Sequence, residues 1–236
     1  MELVPKTSTA LPVHVQIREA LIREIAAGRL PPGDRLPPER GLAAQYGTTV
    51  RTLRKALADL AEQGLLDRVQ GSGNYVRRND RPRSIYSFFR LERPEGGGLP
   101  TADIVEVLER RKPADLPPFG LSERATRIRR VRRLDRIPVA TEEIWLDRAC
   151  GEVRLPDLSE SLYLYYREHL GFWIRRIEDQ VSLGYAPEWA TGHLECAADA
   201  PVGFIERLSW AQHEHPVEYS RTWFDPERAR YVQRLS

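Results

Sequence analysis

Two short runs of cationic side chains carry most of the chemistry in this sequence. In the first, Arg51, Thr52, Arg54 and Lys55 occupy the positions left free by an apolar stripe of Leu53, Leu57 and Leu60 at helical spacing. Guanidinium, ammonium and hydroxyl groups gathered at a helix start are the donors that reach phosphates and base edges. The second run, Ile128-Arg129-Arg130-Val131-Arg132-Arg133-Leu134, suits a strand. Ile128, Arg130, Arg132 and Leu134 then share one face. Two apolar residues on that face, against Val131 alone on the other, turn Arg130 and Arg132 inward. A buried guanidinium needs an anion to offset its desolvation. Two of them either clamp an anionic ligand or are neutralised by carboxylates of their own domain.

The elements that must position these groups follow from periodicity and turn residues. Val13, Ile17, Leu21 and Ile25 form one stripe of a helix over 12–27, stopped by Gly28 and Pro31-Pro32-Gly33. A second helix fits 38–46, with Leu42, Ala43 and Tyr46 inward. Thr49 is the N-cap of a third, over 50–63, closed by Gly64. Two extended runs flank Gln70-Gly71-Ser72-Gly73 and read as a β-hairpin. Helix, turn, helix and hairpin together describe a winged DNA-binding unit. From 85 onward strands dominate, at 103–109, 141–147, 172–183, 203–212 and 217–224, with a short helix at 161–170. The fold class is therefore α+β, the second part a mainly antiparallel sheet with a few helices.

Pro12 to Val76 resembles the winged-helix domain of the GntR family of bacterial regulators. The matching pieces are Gln16-Ile17, Gly28-Arg29-Leu30-Pro31-Pro32-Gly33, Leu36-Pro37-Pro38-Glu39-Arg40, Leu42-Ala43, Thr52-Leu53-Arg54-Lys55-Ala56-Leu57, Gly64-Leu65-Leu66 and Gly71-Ser72-Gly73. The resemblance implies that Arg40, Thr49, Arg51, Thr52 and Arg54 contact DNA, with Gly71 at the wing tip near the minor groove. Pro38 stands where the family usually has a small hydroxyl residue, and Val50 where it commonly has Arg. Val50 offers a thymine only its methyls, so an operator different from the family's usual one is expected.

Residues 85–224 are similar to the UTRA effector domain of the HutC subfamily, whose fold is chorismate-lyase-like. The supporting residues are Arg130-Val131-Arg132, Asp135, Pro138-Val139, Glu142, Ser161-Leu162-Tyr163 and Pro216-Val217-Glu218-Tyr219-Ser220. By that resemblance Arg130, Arg132, Ser161 and Tyr163 hold the anionic part of an effector, and Glu142 and Glu218 its hydroxyl or amine part. Phe224 stands where phosphosugar sensors can have Tyr. With Trp145, Trp173 and Trp210, it opens the pocket to a flatter, more apolar acid unless those tryptophans are ordinary core. The expectation is a homodimeric regulator, a repressor released from a pseudo-palindromic double-stranded DNA operator by a small acidic metabolite. Its domains are a DNA-binding domain over 1–78, a linker at 79–84 and an effector-binding, dimerising domain over 85–236. A ligand-free DNA-binding regulator and a chorismate-lyase-like enzyme are the alternatives.

Composition excludes other classes. The 236 residues carry 36 Lys/Arg against 34 Asp/Glu, but residues 1–78 hold twelve against eight and the remainder 24 against 26. The basic excess sits in the part expected to meet DNA. Five Trp, nine Tyr and six Phe argue against wholesale disorder. No apolar run is long enough to span a membrane, and Met1 to Lys6 has no signal core, so a soluble cytoplasmic protein is expected. Cys150 and Cys196 are expected to be reduced. His213/His215 and His193/Cys196 lack further ligands for a metal. Ser161 has no His/Asp partner, and no Gly-Lys-Ser/Thr follows Gly73. No catalytic residue, metal or cofactor is expected.

Overall fold

The computed structural model describes residues 10–77, 84–194, 196 and 200–234. The N-terminal residues read for a signal core, and all of the expected linker except Ser84, lie outside them. Two compact units appear among the described residues. One comprises the described residues of 11–90, 95–99 and 232–234; the other comprises Ala10 and the described residues of 91–94 and 100–231.

In the first unit, leucine spacing accounts for the three helices α1 (Val13–Ala26), α2 (Glu39–Gln45) and α3 (Val50–Glu62). Ile17, Leu21 and Ile22 of α1 pack with Leu42 and Ala43 of α2 and with Leu53, Ala56, Leu57 and Leu60 of α3. Val13, expected on the apolar stripe, is instead 48% exposed at the helix start. Val50 is half-buried and packs against this core. Strands β1 (Leu66–Val69) and β2 (Gly73–Val76) form the hairpin wing, and Leu66 and Val76 anchor it to the core. Glu19 of α1 is fully buried. It accepts hydrogen bonds from Arg18, from the Ser84 hydroxyl at 2.8 Å and from the Ile85 amide at 3.0 Å. The glycine stretch at 96–98 groups with this first unit, where Gly96 lies against the Arg29 side chain.

The second unit is a six-stranded antiparallel sheet. Its strands are β4 (Pro100–Arg111), β5 (Arg124–Leu134), β6 (Ile137–Asp147), β7 (Arg176–Tyr185), β8 (Pro201–Trp210) and β9 (Glu218–Phe224), in the order β4-β5-β6-β9-β8-β7. Short β3 (Leu91–Glu92) pairs with β10 (Arg230–Tyr231) beside it. Helix α4 (Leu162–His169) starts at Ser161, whose hydroxyl accepts from the Leu164 amide; α5 (Glu188–Leu194) was not foreseen. A seven-residue helix without a pronounced apolar stripe leaves little periodic signal.

Every strand alternates between two faces, and the register lines them up. Arg130, Glu142, Thr222 and Ile205 form one row across β5, β6, β9 and β8; Ile144, Ser220, Arg207 and Asp179 form the next across β6, β9, β8 and β7. The same face carries Phe224 opposite Gly203. A methyl at Gly203 would come within 2.1 Å of the Phe224 ring, so glycine there makes room for the aromatic side chain. Gly203→Ala should accordingly destabilise this unit by about 1–3 kcal/mol through overpacking. All five tryptophans lie between 145 and 223, so urea unfolding followed by tryptophan fluorescence reads this unit alone. An unchanged midpoint would contradict the packing.

Candidate functional site

The helix-turn-helix presents its charges by keeping its leucines inside. Leu53, Leu57 and Leu60 are buried, which leaves Arg51, Arg54 and Lys55 exposed on α3 and Arg40 on α2. Arg40 and Arg51 form no ion pair or side-chain hydrogen bond among the described residues. Arg54 is engaged, its Nε donating to the Glu39 carboxylate at 2.6 Å while the side chain remains 62% exposed. Thr49 caps α3: its hydroxyl accepts from the Thr52 amide at 3.2 Å and shares a hydrogen bond with the Thr52 hydroxyl at 3.0 Å. Pro38 gives α2 no side-chain cap. Gly71 has φ +76° at the hairpin tip, with open space around it. Arg35 was missed from sequence. Its guanidinium lies over the wing at Gly73, and a Cβ there would sit 2.9 Å from Nε. The bridge between Arg35 and Tyr75, with backbone bonds from Gly33 to Val76 and from Leu36 to Asn74, brings it to the wing.

Across the second unit's sheet, Arg130 and Arg132 are both buried, as the alternation predicts. Both reach one carboxylate. Arg130 Nε donates to Glu142 Oε2, and Arg132 Nε donates to the same oxygen at 3.0 Å. Arg130 Nη1 also donates to the Glu160 carbonyl at 3.2 Å, tying the strand to the segment that leads into α4. One carboxylate between two guanidiniums leaves positive charge that Glu142 alone does not neutralise. The two arginines outweigh the cost of burial and hold Glu142 below the ordinary carboxylate range.

A second group surrounds Glu218. It accepts from the Tyr166 hydroxyl at 2.6 Å, the Ser209 hydroxyl at 2.9 Å and the Tyr163 hydroxyl at 3.2 Å. Burial outweighs these hydrogen bonds and raises its pKa, favouring the neutral acid more than in water. Burial, with Glu218 nearby, likewise raises the Tyr163 and Tyr166 hydroxyls, so both stay protonated donors. Ser161 is buried at the start of α4, with its hydroxyl used as the helix cap.

Phe224 lies on the same face, on the row of Ala140 and Arg132. The three tryptophans do not. Trp145 and Trp210 project from the opposite face, because they fall on the other parity of their strands. Trp145 packs with Phe119, Ala125 and Tyr219, and its indole donates to Glu143 at 3.0 Å. Trp173 is 50% exposed outside the strands.

Sequence reasoning missed Tyr166 and Ser209 at this site, and also Arg207. It stands on the site face of β8 and donates twice to Asp179, at 2.5 and 2.7 Å. These bonds and the Tyr163 hydroxyl raise its pKa despite burial. The signal was present, since Ile205, Arg207 and Ser209 share one parity, but a single arginine on an ordinary alternating strand does not stand out. Among the described residues no three His, Cys, Asp or Glu side chains could hold a metal. Cys150 and Cys196 are both free thiols, and burial pushes Cys150 up to about 12. No helix among the described residues is long and apolar enough to cross a membrane.

A winged helix-turn-helix carried with a separate sheet domain that buries a polar site is the plan of a transcriptional regulator. Residues 14–76 match the gntR family of bacterial regulatory proteins and residues 96–230 match the UTRA domain. The chain belongs to the UTRA-containing GntR family of transcriptional regulators, and the HutC subfamily is consistent with that pairing. It is 53% identical over 230 residues to the HTH-type transcriptional regulator SmoD of Agrobacterium fabrum, covering 97% of this chain and 98% of that one. It is 29% identical over 236 residues to the mannosyl-D-glycerate transport/metabolism system repressor MngR of Escherichia coli, covering 94% and 95%. The crystal structure of YydK from Bacillus subtilis superposes with a TM-score of 0.56 at 22% identity, over 95% of this chain and 99% of that one, which speaks to the fold.

The shared carboxylate generates a stability prediction. Glu142 is held below its ordinary pKa, so its ionised form contributes fully above the unfolded value and is lost as pH falls through the depressed folded value. Glu142→Gln should remove that part of the acid limb. At neutral pH it should cost about 3–5 kcal/mol, because two buried guanidiniums lose their shared counter-charge. Urea unfolding across an acidic pH series checks both effects, and a variant with wild-type stability and pH dependence would refute the shared-carboxylate account.

Proposed function

We propose that this regulator binds a pseudo-palindromic DNA operator as a homodimer and is released from it by a small acidic metabolite held at Arg130 and Arg132. The observation that carries this reading is the pair of buried guanidiniums on one carboxylate, where an added anion replaces hydration that burial has removed. The division of labour follows the domains: 1–78 contacts DNA and 85–236 binds the effector, with a linker at 79–84 between them.

On the DNA side, Arg40, Arg51 and Arg54 supply guanidiniums, Thr49 and Thr52 supply hydroxyls beside the α3 start, and Gly71 lets the wing tip approach the minor groove. Arg54 must exchange Glu39 for phosphate or base, whereas Arg40 and Arg51 have no such partner to give up among the described residues. Two recognition helices reading half-sites about one helical turn apart require a two-fold dimer. In the effector site, Ser161 and Tyr163 assist the arginines, Glu142 and Glu218 meet hydroxyl or amine groups, and the Phe224 ring forms an apolar wall. Effector binding favours the dimer arrangement that no longer matches the operator, with a coupling of about 1–3 kcal/mol typical of such switches.

Two variants separate the halves, using a DNA fragment selected by the wild-type protein from a randomised pool. Arg51→Ala should weaken DNA binding by about 1–3 kcal/mol and, where the contact is to phosphate, lower the salt slope by about one. Its thermal stabilisation by an acidic metabolite, found by screening phosphosugars, amino-acid catabolites and aromatic acids, should persist. Arg130→Ala should bind DNA normally and no longer be released by that metabolite. Normal release from the Arg130→Ala protein would overturn the effector assignment.

A further inference from the structure

The tip of the wing carries no positive charge of its own. Residues 69–76 are Val-Gln-Gly-Ser-Gly-Asn-Tyr-Val, with no lysine or arginine among them. A hairpin that approaches DNA meets the negative potential of the phosphates, which is enhanced where the minor groove is narrow. The fold brings a cation to the tip from a distant segment. Residues 33–36 run alongside β2. The Gly33 amide donates to the Val76 carbonyl at 2.8 Å, the Val76 amide to the Asp34 carbonyl at 2.8 Å and the Leu36 amide to the Asn74 carbonyl at 2.9 Å. An extended segment turns successive residues to opposite faces. Leu36 falls inward and joins the core with Leu66 and Val76, so Arg35 falls outward, beside Tyr75.

The outward face seats the Arg35 guanidinium close to the tip. The side chain reaches past Tyr75 to Gly73, where β2 leaves the turn. A Cβ at Gly73 would stand 2.9 Å from Arg35 Nε and 3.5 Å from Nη2, so the bare glycine is what makes room for the guanidinium. The Tyr75 hydroxyl is hydrogen-bonded to the Ser72 hydroxyl at 2.6 Å. Arg35 is exposed and forms no ion pair or side-chain hydrogen bond among the described residues. It therefore reaches an external acceptor without breaking an internal pair, whereas Arg54 has to leave Glu39. Arg68 is the contrasting case. It is exposed and just as close to the tip in sequence, but it pairs with Asn74 and so shares the inward face of Leu66 and Val76.

We propose that Arg35 is the wing's DNA-contacting cation, its guanidinium seated over Gly73 at the minor-groove rim that the Gly71 tip approaches. The inference rests on the DNA-binding reading of the proposed function and adds a residue to it. A guanidinium suits the position because it is always charged and presents several donors to phosphate and groove acceptors alike. The experiment uses the full chain and the DNA fragment selected by the wild-type protein, in two versions whose flanking base pairs are A·T-rich or G·C-rich. Arg35→Ala should melt at the wild-type temperature, since no internal pair is lost. It should bind DNA about tenfold more weakly, with a salt slope lower by about one. A larger loss on the A·T-rich flanks puts the guanidinium in the narrow groove, and equal losses put it on phosphates. Arg68→Ala, which removes the same charge from the other face of the wing, should change both quantities less.

Unchanged affinity and slope in Arg35→Ala, or an equal loss in Arg68→Ala, overturns the assignment and leaves DNA binding by the regulator standing. A wild-type chain that selects no fragment overturns the DNA-binding reading itself. If Arg35→Ala melts early, Arg35→Gln, which keeps a long polar side chain without the charge, decides by the same two measurements.

Discussion

A guanidinium buried in a sheet must be given an anion, and most of the second domain is arranged around that requirement. Arg130 and Arg132 stand two residues apart on β5, so both point to the same face and both must be compensated. Antiparallel register supplies the answer by placing Glu142 opposite Arg130 on β6. A strand slipped by one residue would turn Glu142 to the opposite face and bring Glu143 inward in its place. Arg207 repeats the device one row away, with its own carboxylate on Asp179.

The winged helix solves the opposite problem. Its charges are wanted outside, so its core is almost entirely aliphatic: Ile17, Leu21, Leu42, Leu53, Leu57 and Leu60 meet with no buried ion pair among them. Glu19 is the exception at the margin, fully buried on α1 and used to hold Ser84 and Ile85. The segment that follows the wing is thereby fixed to the first helix by a carboxylate. An apolar core positions charges that act on an external partner, whereas charged rows position groups that act inside.

Much of this was legible in the sequence, for identifiable reasons. The leucine spacing of α3 and the Thr49 cap are local signals, and they give both the helix and the face that Arg51 presents. The alternation of Ile128, Arg130, Arg132 and Leu134 gives the inward face of β5. What alternation cannot give is which strands become neighbours. Glu142 as the shared partner, Asp179 as the partner of Arg207 and Arg35 over the wing each depend on pairing between distant segments. For the tryptophans the alternative of ordinary core holds at Trp145 and Trp210, which parity sends to the other face and which are buried there. Glycine at 203 had no local meaning until Phe224 was found lying against it.

The long-range pairings also connect parts of the domain that the sequence keeps separate. Asp179 binds Arg207 with both carboxylate oxygens and accepts a third hydrogen bond from the Tyr231 hydroxyl at 2.6 Å. Tyr231 belongs to β10, which pairs with β3 at Leu91–Glu92, where the chain enters this unit. Asp179 itself belongs to β7. One carboxylate therefore joins an arginine of the buried polar face, the chain's point of entry and the β7 edge of the sheet. Asp179 Oδ2 accepts from both Arg207 and the Tyr231 hydroxyl, so the arginine of the buried face and the strand at the chain's entry meet at one oxygen.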